Sequence, residues 1–520
     1  MNRLRGTMGT LLVAAMATAV TTCTLLLDHS AVQCKTDDDC IKLGTYPTCQ
    51  QGLCKPSGLQ PSQCFMISPP AIPASENDFL NSCSHNAMLQ VTNDPASSCL
   101  TFTTPFDDGG MIKPPPAPPA TTPKLPAAPA STCASLVPAG KQILYISGSS
   151  NFAPLLQELS QVIVNTINIV PVFRTTTSCT GVKSMNPNSP TYNADHYIKD
   201  PVGPNDTYPT YAQIYLGDGN PAVNCLLGGS TPVDIGESEI AQDTCGPPVN
   251  PSDLVGESLG PILPIIFVVP KVSTQKVISS DAAQLVFGGG GGVPPWENPQ
   301  FLYIRGQGTA TLRLVAKEIG LLPNQFWGTD QGNAAAMAAN LGVLTKPEEA
   351  NAALGIIGSD FYDQPINRDR IKALGFQAGG QKCAYLPDSS LTSLDKINVR
   401  DGHYPLWGRI HFFAARANGL FVSPTATAFL TLFSNPYLDP EILAALIKAG
   451  FVPPCAMKVT RTQELGDFTY GDPPPVNCTC AFEGQVNAPM ESYCKTCNGN
   501  LDCMPDRPSC RYGYCERESS

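Results

Sequence analysis

Cysteine spacing constrains this chain more than any other feature. The sequence has 520 residues and 21 cysteines, crowded towards its two ends and sparse between them. Cys34, Cys40, Cys49 and Cys54 follow the spacing C-x5-C-x8-C-x4-C, and Cys497, Cys503, Cys510 and Cys515 follow C-x5-C-x6-C-x4-C. Neighbouring residues agree too: Asp39-Cys40 matches Asp502-Cys503, Pro47-Thr48-Cys49 matches Pro508-Ser509-Cys510, and Gly52-Leu53-Cys54 matches Gly513-Tyr514-Cys515. The two stretches are copies of one repeat. A unit this short cannot bury a core of its own, so cross-links must hold it. Zinc would favour a C-x2-C pair, which neither copy contains, although Cys494 and Cys497 make one at the edge of the second. We read two disulfide modules, 34–54 and 478–515. Four cysteines allow three pairings; the expectation here is first with third and second with fourth.

The N-terminus agrees with an oxidising destination. Asn2-Arg3-Leu4-Arg5 is a basic start, and Leu11 to Val20 is an apolar run followed by Thr21-Thr22-Cys23. This reads as an export signal over 1–23, with Cys23 as a lipidation candidate. Thr22 is larger than the residue that usually precedes a lipid-bearing cysteine. Setting Cys23 aside leaves an even 20 of the 21 cysteines. Both forms of the signal stay open, and the protein is expected in the periplasm, in the outer membrane or at the cell surface. Net charge is −11, with no Lys/Arg cluster beyond the extreme N-terminus. Nucleic acid and anionic membrane surfaces are therefore excluded as partners, and any membrane contact would run through a lipid at Cys23.

Residues 55–140 read as an irregular linker. Cys64 to Cys99 is rich in Pro, Ser and Asn, and Lys113 to Ala130 is a proline spacer, an extended and semi-rigid composition. From 141 to 455 strands and helices alternate. Gln142-Ile143-Leu144-Tyr145-Ile146 reads as a buried strand, and Phe152 opens a helix with an apolar stripe. Between them Ser147-Gly148-Ser149-Ser150-Asn151 joins a strand end to a helix start, where free N–H groups and the helix dipole suit a small anion. Capping and turn geometry alone would also explain such a turn.

Three more loops share its character: Thr177-Ser178-Cys179-Thr180-Gly181, Glu237-Ser238-Glu239, and Gly306-Gln307-Gly308-Thr309 after Arg305. In open α/β sheets, ligands sit beyond the carboxyl ends of strands. The candidate ligand-binding residues are therefore Ser147, Ser149, Ser150, Ser178, Thr180, Ser238, Glu239, Arg305, Gly308 and Thr309. A carboxylate such as Glu239 repels a fully ionised oxyanion but accepts a hydrogen bond from a protonated one, which favours hydrogen phosphate over sulfate.

The loops Ser147 to Asn151, Asp234-Ile235-Gly236-Glu237-Ser238-Glu239 and Gly306 to Thr309 resemble the ligand loops of the PstS-like phosphate-binding proteins of bacterial ABC importers. Asn398 to Gly408, with its Tyr404-Pro405, resembles the return segment of the same type II periplasmic-binding-protein fold. The resemblance implies an α/β, two-lobed fold between the small disulfide-rich modules. Its first lobe would take about 142–262 and 400–450, its second about 263–390, with the ligand between them. It implies a solute-binding protein for a small oxyanion, most simply phosphate, without catalysis or cofactor, and an ABC permease as partner. Glu239 stands where the family has Asp, and Gln307 where it has Ser. The terminal modules are similar to short Cys-rich repeats of myxobacterial surface proteins. They favour an alternative: a structural or adhesive envelope protein that uses the fold as a scaffold and contacts another envelope protein.

Other chemistry is weaker. Gly256-Glu257-Ser258-Leu259-Gly260 matches the G-x-S-x-G elbow, but Pro261 and an apolar strand follow where that motif needs a helix. His403 and His411 are expected in structural roles, and Asp388, Asp395 and Asp401 in turns and caps. Cys383 and Cys455 could pair with Cys179, Cys225 or Cys245.

Overall fold

The computed structural model describes residues 126–518, apart from 204–205, 207–209, 292, 380, 382, 435–437, 471–475 and 487–493, together with the strand backbones at 48–50 and 53–55. The export signal, Cys23, Cys34, Cys40 and the proline spacer up to residue 125 lie outside the described residues.

A mixed sheet organises the α/β body. Ten of its twelve strands are β1 (Gln142–Ser149), β2 (Ile169–Thr176), β3 (Ala212–Ile214), β4 (Val223–Cys225), β5 (Ile235–Ser238), β6 (Val255–Pro270), β7 (Leu302–Ile304), β8 (Thr329–Asp330), β9 (Leu354–Gly358) and β10 (Trp407–Ala417). They lie in the order β8-β7-β9-β6-β10-β5-β1-β2-β3-β4. β1 runs parallel to both β2 and β5. On the far side β7 runs parallel to β8 and β9. The antiparallel strands β6 and β10 join the two halves.

β6 belongs to both halves. Residues 255–264 pair with β10, and Ile265–Val268 pair with β9, with a bulge between Leu259 and Ile262. Every residue from Gly260 to Pro270 is buried. A continuous apolar run of this kind is what a strand covered on both faces requires. It is longer than the strand expected from Leu263 to Val269. The G-x-S-x-G match at Ser258, discounted in the sequence, is part of the same strand, which alternates its side chains, so Ser258 faces away from Glu257 and His411.

Helices cover the sheet. α1 (Phe152–Thr166) buries Phe152, Leu155, Leu156, Leu159, Val162 and Ile163, a stripe at three- and four-residue spacing. Phe152 meets Phe173 and Phe412 edge-on, with centroids 5.9 and 5.6 Å away. α2 (Ser178–Ser184) lies so close to β5 that a Cβ at Gly181 would stand 1.9 Å from the Glu237 carbonyl oxygen, and one at Gly236 would stand 2.1 Å from that of Gly181. Only glycine permits that approach. α3 (Ala310–Glu318) and α4 (Pro440–Lys448) complete the elements used below.

Two boundaries differ from the sequence reading. Cys133–Leu136, inside the stretch read as linker, is a helical turn capped by Thr132 and bonded by disulfide to Cys225. A four-residue turn shows no periodicity, so composition hid it. The C-terminal region is also wider than one repeat. Cys455–Cys478 and Cys480–Cys494 precede the pairs Cys497–Cys510 and Cys503–Cys515. Those last two are the alternate pairing expected. Cys179 pairs with Cys245, and Cys383 is disulfide-bonded as well. α5 (Thr479–Gln485) buries Ala481 and Phe482 in the main core. The repeat extends to the backbone: Ser509–Arg511 and Tyr514–Glu516 form a hairpin with Cys510 opposite Cys515, and Thr48–Gln50 and Leu53–Lys55 form one with Cys49 opposite Cys54. These disulfides are those of an oxidising, extracytoplasmic compartment. Among the described residues no helix is long and apolar enough to cross a membrane.

Candidate functional site

The four loops singled out in the sequence converge. β1 runs on through Ser147 and Gly148 to Ser149, so only Ser150 and Asn151 turn into α1. Ser178 to Gly181 are not a turn but the first residues of α2, whose N-cap Thr177 accepts from Thr180 N. Glu237 and Ser238 are still strand, and Glu239 follows the end of β5. From the other half of the sheet, β7 leads through Arg305 and Gly306 to Thr309, the N-cap of α3.

Hydrogen bonds knit the two sides together. Ala310 N donates to Ser178 Oγ (2.9 Å), and Ser178 Oγ donates to Glu239 Oε2 (2.6 Å). Cys179 N donates to Gly308 O (3.3 Å). Arg305 Nη2 donates to Ser150 Oγ (3.2 Å), and Asn151 Nδ2 donates to Thr311 Oγ1 (3.1 Å). Ser149 N donates to Glu237 Oε2 (2.9 Å). The Ser149 hydroxyl also bonds Glu239.

Other candidates serve local structure. Ser147 Oγ pairs with Thr176 Oγ1 within the first half. Thr180 Oγ1 meets Thr177 Oγ1. Thr309 Oγ1 donates to Gly306 O and accepts from Leu312 N. Ser238 Oγ donates to Ile240 O, because strand alternation turns Ser238 away from Glu237 and Glu239.

Two residues the sequence reading passed over prove central. Glu237 is wholly buried between β1 and α2: a Cβ at Gly148 would stand 2.3 Å from its Oε2. Asp360, just beyond β9, is buried too. Asp330, Asp360 and Glu239 thus place three carboxyl groups around the Arg305 guanidinium, and Glu237 adjoins Glu239 and Asp360. Burial, reinforced by Glu239 and Asp360, pushes the Glu237 carboxyl well above the usual carboxylate range. Burial and the Glu239 charge do the same to Asp360, and burial raises Glu239 despite bonds from Ser178 and Ser149. Burial lowers Arg305, while Asp330, Asp360 and Glu239 oppose that shift.

Some of this polar surface has no partner in the protein. Arg305 Nε and Nη1 lack acceptors, and Glu237 Oε1 and Asn151 Oδ1 lack hydrogen bonds. Buried polar atoms of that kind are costly unless something else satisfies them. The arrangement can offer two guanidinium donors, an amide acceptor and a carboxyl group to one small polar solute.

The remaining candidates for chemistry are structural. His403 Nδ1 pairs with Asp401, and His411 Nδ1 with Glu257. Asp395 holds the N–H groups of Ser389 and Ile397. Asp388 is not a simple turn residue: it forms a buried ion-pair network with Lys396 and Arg368. Among the described residues the one cluster with metal-ligand proximity is Cys497, Cys503 and Cys515, and all three are in disulfides.

No protein-family model matches this sequence. No curated protein matches it either. Several solved structures align over about three-fifths of the chain. A putative phosphate ABC transporter substrate-binding protein from Clostridium perfringens, with bound phosphate, is 12% identical over 60% of this chain and 99% of its own, with a TM-score of 0.39. An ABC-type phosphate transport receptor from Vibrio cholerae is 11% identical over 60% of this chain and 100% of its own, with a TM-score of 0.36. An OxyR mutant from Corynebacterium glutamicum is 8% identical over 60% of this chain and 67% of its own, with a TM-score of 0.31.

Proposed function

We propose that the cleft between the two halves of the sheet binds a small oxyanion that carries a proton of its own, most simply hydrogen phosphate, in an extracytoplasmic solute-binding protein. The Arg305 guanidinium, buried with its Nε and Nη1 unpartnered, in a site where Glu237 Oε1 and Asn151 Oδ1 also lack partners, carries this reading. Arg305 would hold two ligand oxygens in the manner of a fork. Glu237, whose burial favours the neutral carboxyl, would donate a hydrogen bond to a third, and Asn151 Oδ1 would accept one from the ligand's hydroxyl. A net-acidic protein can therefore hold an anion, because its cleft acids need not be ionised. Sulfate, which brings no proton, would leave Asn151 Oδ1 unpaired. An ABC permease would be the partner, and a lipid at Cys23 any membrane tether.

Calorimetry with phosphate, arsenate and sulfate tests this on the wild type and Arg305→Gln. The expected result is heat with phosphate and arsenate, little with sulfate, and a loss of about thirtyfold or more in affinity on removing the Arg305 charge. Affinity should fall as pH rises, since Glu237 and the ligand both lose protons. A second reading is favoured by a specific observation: Ser149 N–H, Ser178 Oγ and Ala310 N–H are already satisfied within the protein. If the wild type gives no heat with any of the three anions, the protein is the envelope scaffold of the alternative.

A further inference from the structure

A cavity of about 150 Å³ lies against the far side of the junction between β6 and β10. Its walls come from Leu259 and Ile262 of β6, from Trp407, Arg409 and His411 of β10, and from the segment 454–464 that crosses them. Leu259 is 41% exposed at this site. Trp407 and Arg409 flank Gly408, where a Cβ would stand 2.2 Å from the Glu239 carbonyl oxygen. The cavity and the cleft are thus separated by a single strand.

Its chemistry differs from that of the cleft. Leu259, Ile262, Met457 and Trp407 provide an apolar wall. Arg461 lies flat on Trp407, 3.4 Å from the ring centroid, and its guanidinium donates to the carbonyl groups of Pro405 and Trp407. Arg409 donates through Nε to Gly260 O (3.0 Å), and no carboxylate stands within ion-pair distance of it among the described residues. Trp407 is 5% exposed, and its indole N–H has no partner. The acids nearby are already engaged: Glu464 takes Ala241 N and Thr244 Oγ1, and Glu257 takes His411. The cavity therefore combines one apolar chamber with a guanidinium lacking a counter-ion.

We infer that this cavity is a second binding site, for a small aromatic monocarboxylate of the benzoate class. A cavity of about this volume has room for a single six-membered ring. The aliphatic wall of Leu259, Ile262 and Met457 suits the ring. The Arg409 fork suits the carboxylate in two-point contact. An inorganic dianion would lose its hydration against the apolar wall without replacing it, so the site should reject phosphate. The inference is independent of the oxyanion reading and uses none of the cleft residues.

Benzoate, benzamide and inorganic phosphate separate the readings when each is titrated calorimetrically into the full chain. Benzoate should saturate, with benzamide about tenfold weaker or worse for lack of the charge. Arg409→Gln should reduce benzoate affinity about tenfold or more, and Met457→Trp should abolish it by filling the chamber. Arg305→Gln should leave benzoate binding unchanged, so failure of the cleft reading would not mimic failure here. Thermal melting of each variant reports whether it remains folded. The inference is overturned if benzoate shows no saturation by about 5 mM. It is equally overturned if Arg409→Gln binds benzoate like the wild type, or if benzamide binds as well as benzoate.

Discussion

The sheet-built body and the C-terminal region reach stability by different routes. In the body, residues such as Leu144, Ile146, Phe173, Phe267 and Phe412 are wholly buried in one apolar core. Between Cys455 and Cys515 the chain uses four disulfides. The difference follows from area: a sheet with helices packed on it removes enough apolar surface from water, and a pair of three-residue strands does not. The boundary between the two regimes runs through α5. Its Phe482 enters the main core, and its Glu483 pairs with Arg400 at 2.9 Å, both side chains nearly fully buried. Arg400 also lies 4.8 Å from the Phe482 ring centroid. Beyond α5, Glu516 reaches back and accepts from Cys480 N and Ala481 N, capping the helix with a side chain from the terminal hairpin.

The sharpest way to break this comparison is to remove Cys497–Cys510 and Cys503–Cys515 together by Cys→Ser exchange. About 2–4 kcal/mol per bridge is at stake. The outer hairpin should become open to limited proteolysis while the body keeps its melting transition; loss of both together would mean that the regions are one folding unit. A smaller effect is expected at the boundary. Arg400→Met leaves Glu483 buried without its partner and should cost about 3–5 kcal/mol in denaturant titration, with Arg400→Met/Glu483→Leu recovering much of it. The smallest effect is a pH slope. Burial raises the Glu516 carboxyl from 4.5 to about 7. Between those values the unfolded chain binds fewer protons than the native one, so stability falls as pH rises and levels off above about 7. Glu516→Gln should remove about 3 kcal/mol of that pH-dependent fall, read from melts across the same range. An unchanged slope would remove Glu516 from this role.

Much of the body was legible in the sequence because local patterns and tertiary structure agree there. The apolar run before Ser147 and the stripe from Phe152 each occur where pattern places them. Repeat spacing marked out the module but left three pairings open, of which the alternate one, Cys497 with Cys510 and Cys503 with Cys515, is found. The convergence of the four loops was legible as well, since each follows a strand. Their internal roles were not. Glu237 stands in one of the loops but is not among the candidates, Asp360 stands in no motif, and the contacts that bury them come from distant parts of the chain. Ser238 could have been set aside by alternation, had β5 been read through to its end. Cys133 and Phe482 were hidden by proline-rich and cysteine-rich surroundings, where composition speaks for looseness and gives no sign of a distant partner.

The division of β6 between two sets of neighbours has a mechanical consequence. The halves of the sheet do not hang from loops; they share an unbroken strand whose hydrogen bonds pass from β10 to β9 within one residue. Moving them apart without breaking pairs means twisting that strand, and the bulge between Leu259 and Ile262 is the place where it already departs from regular register. The junction is thus a torsion bar and not a swivel. Any opening that keeps these pairs would put its work into the twist of that strand.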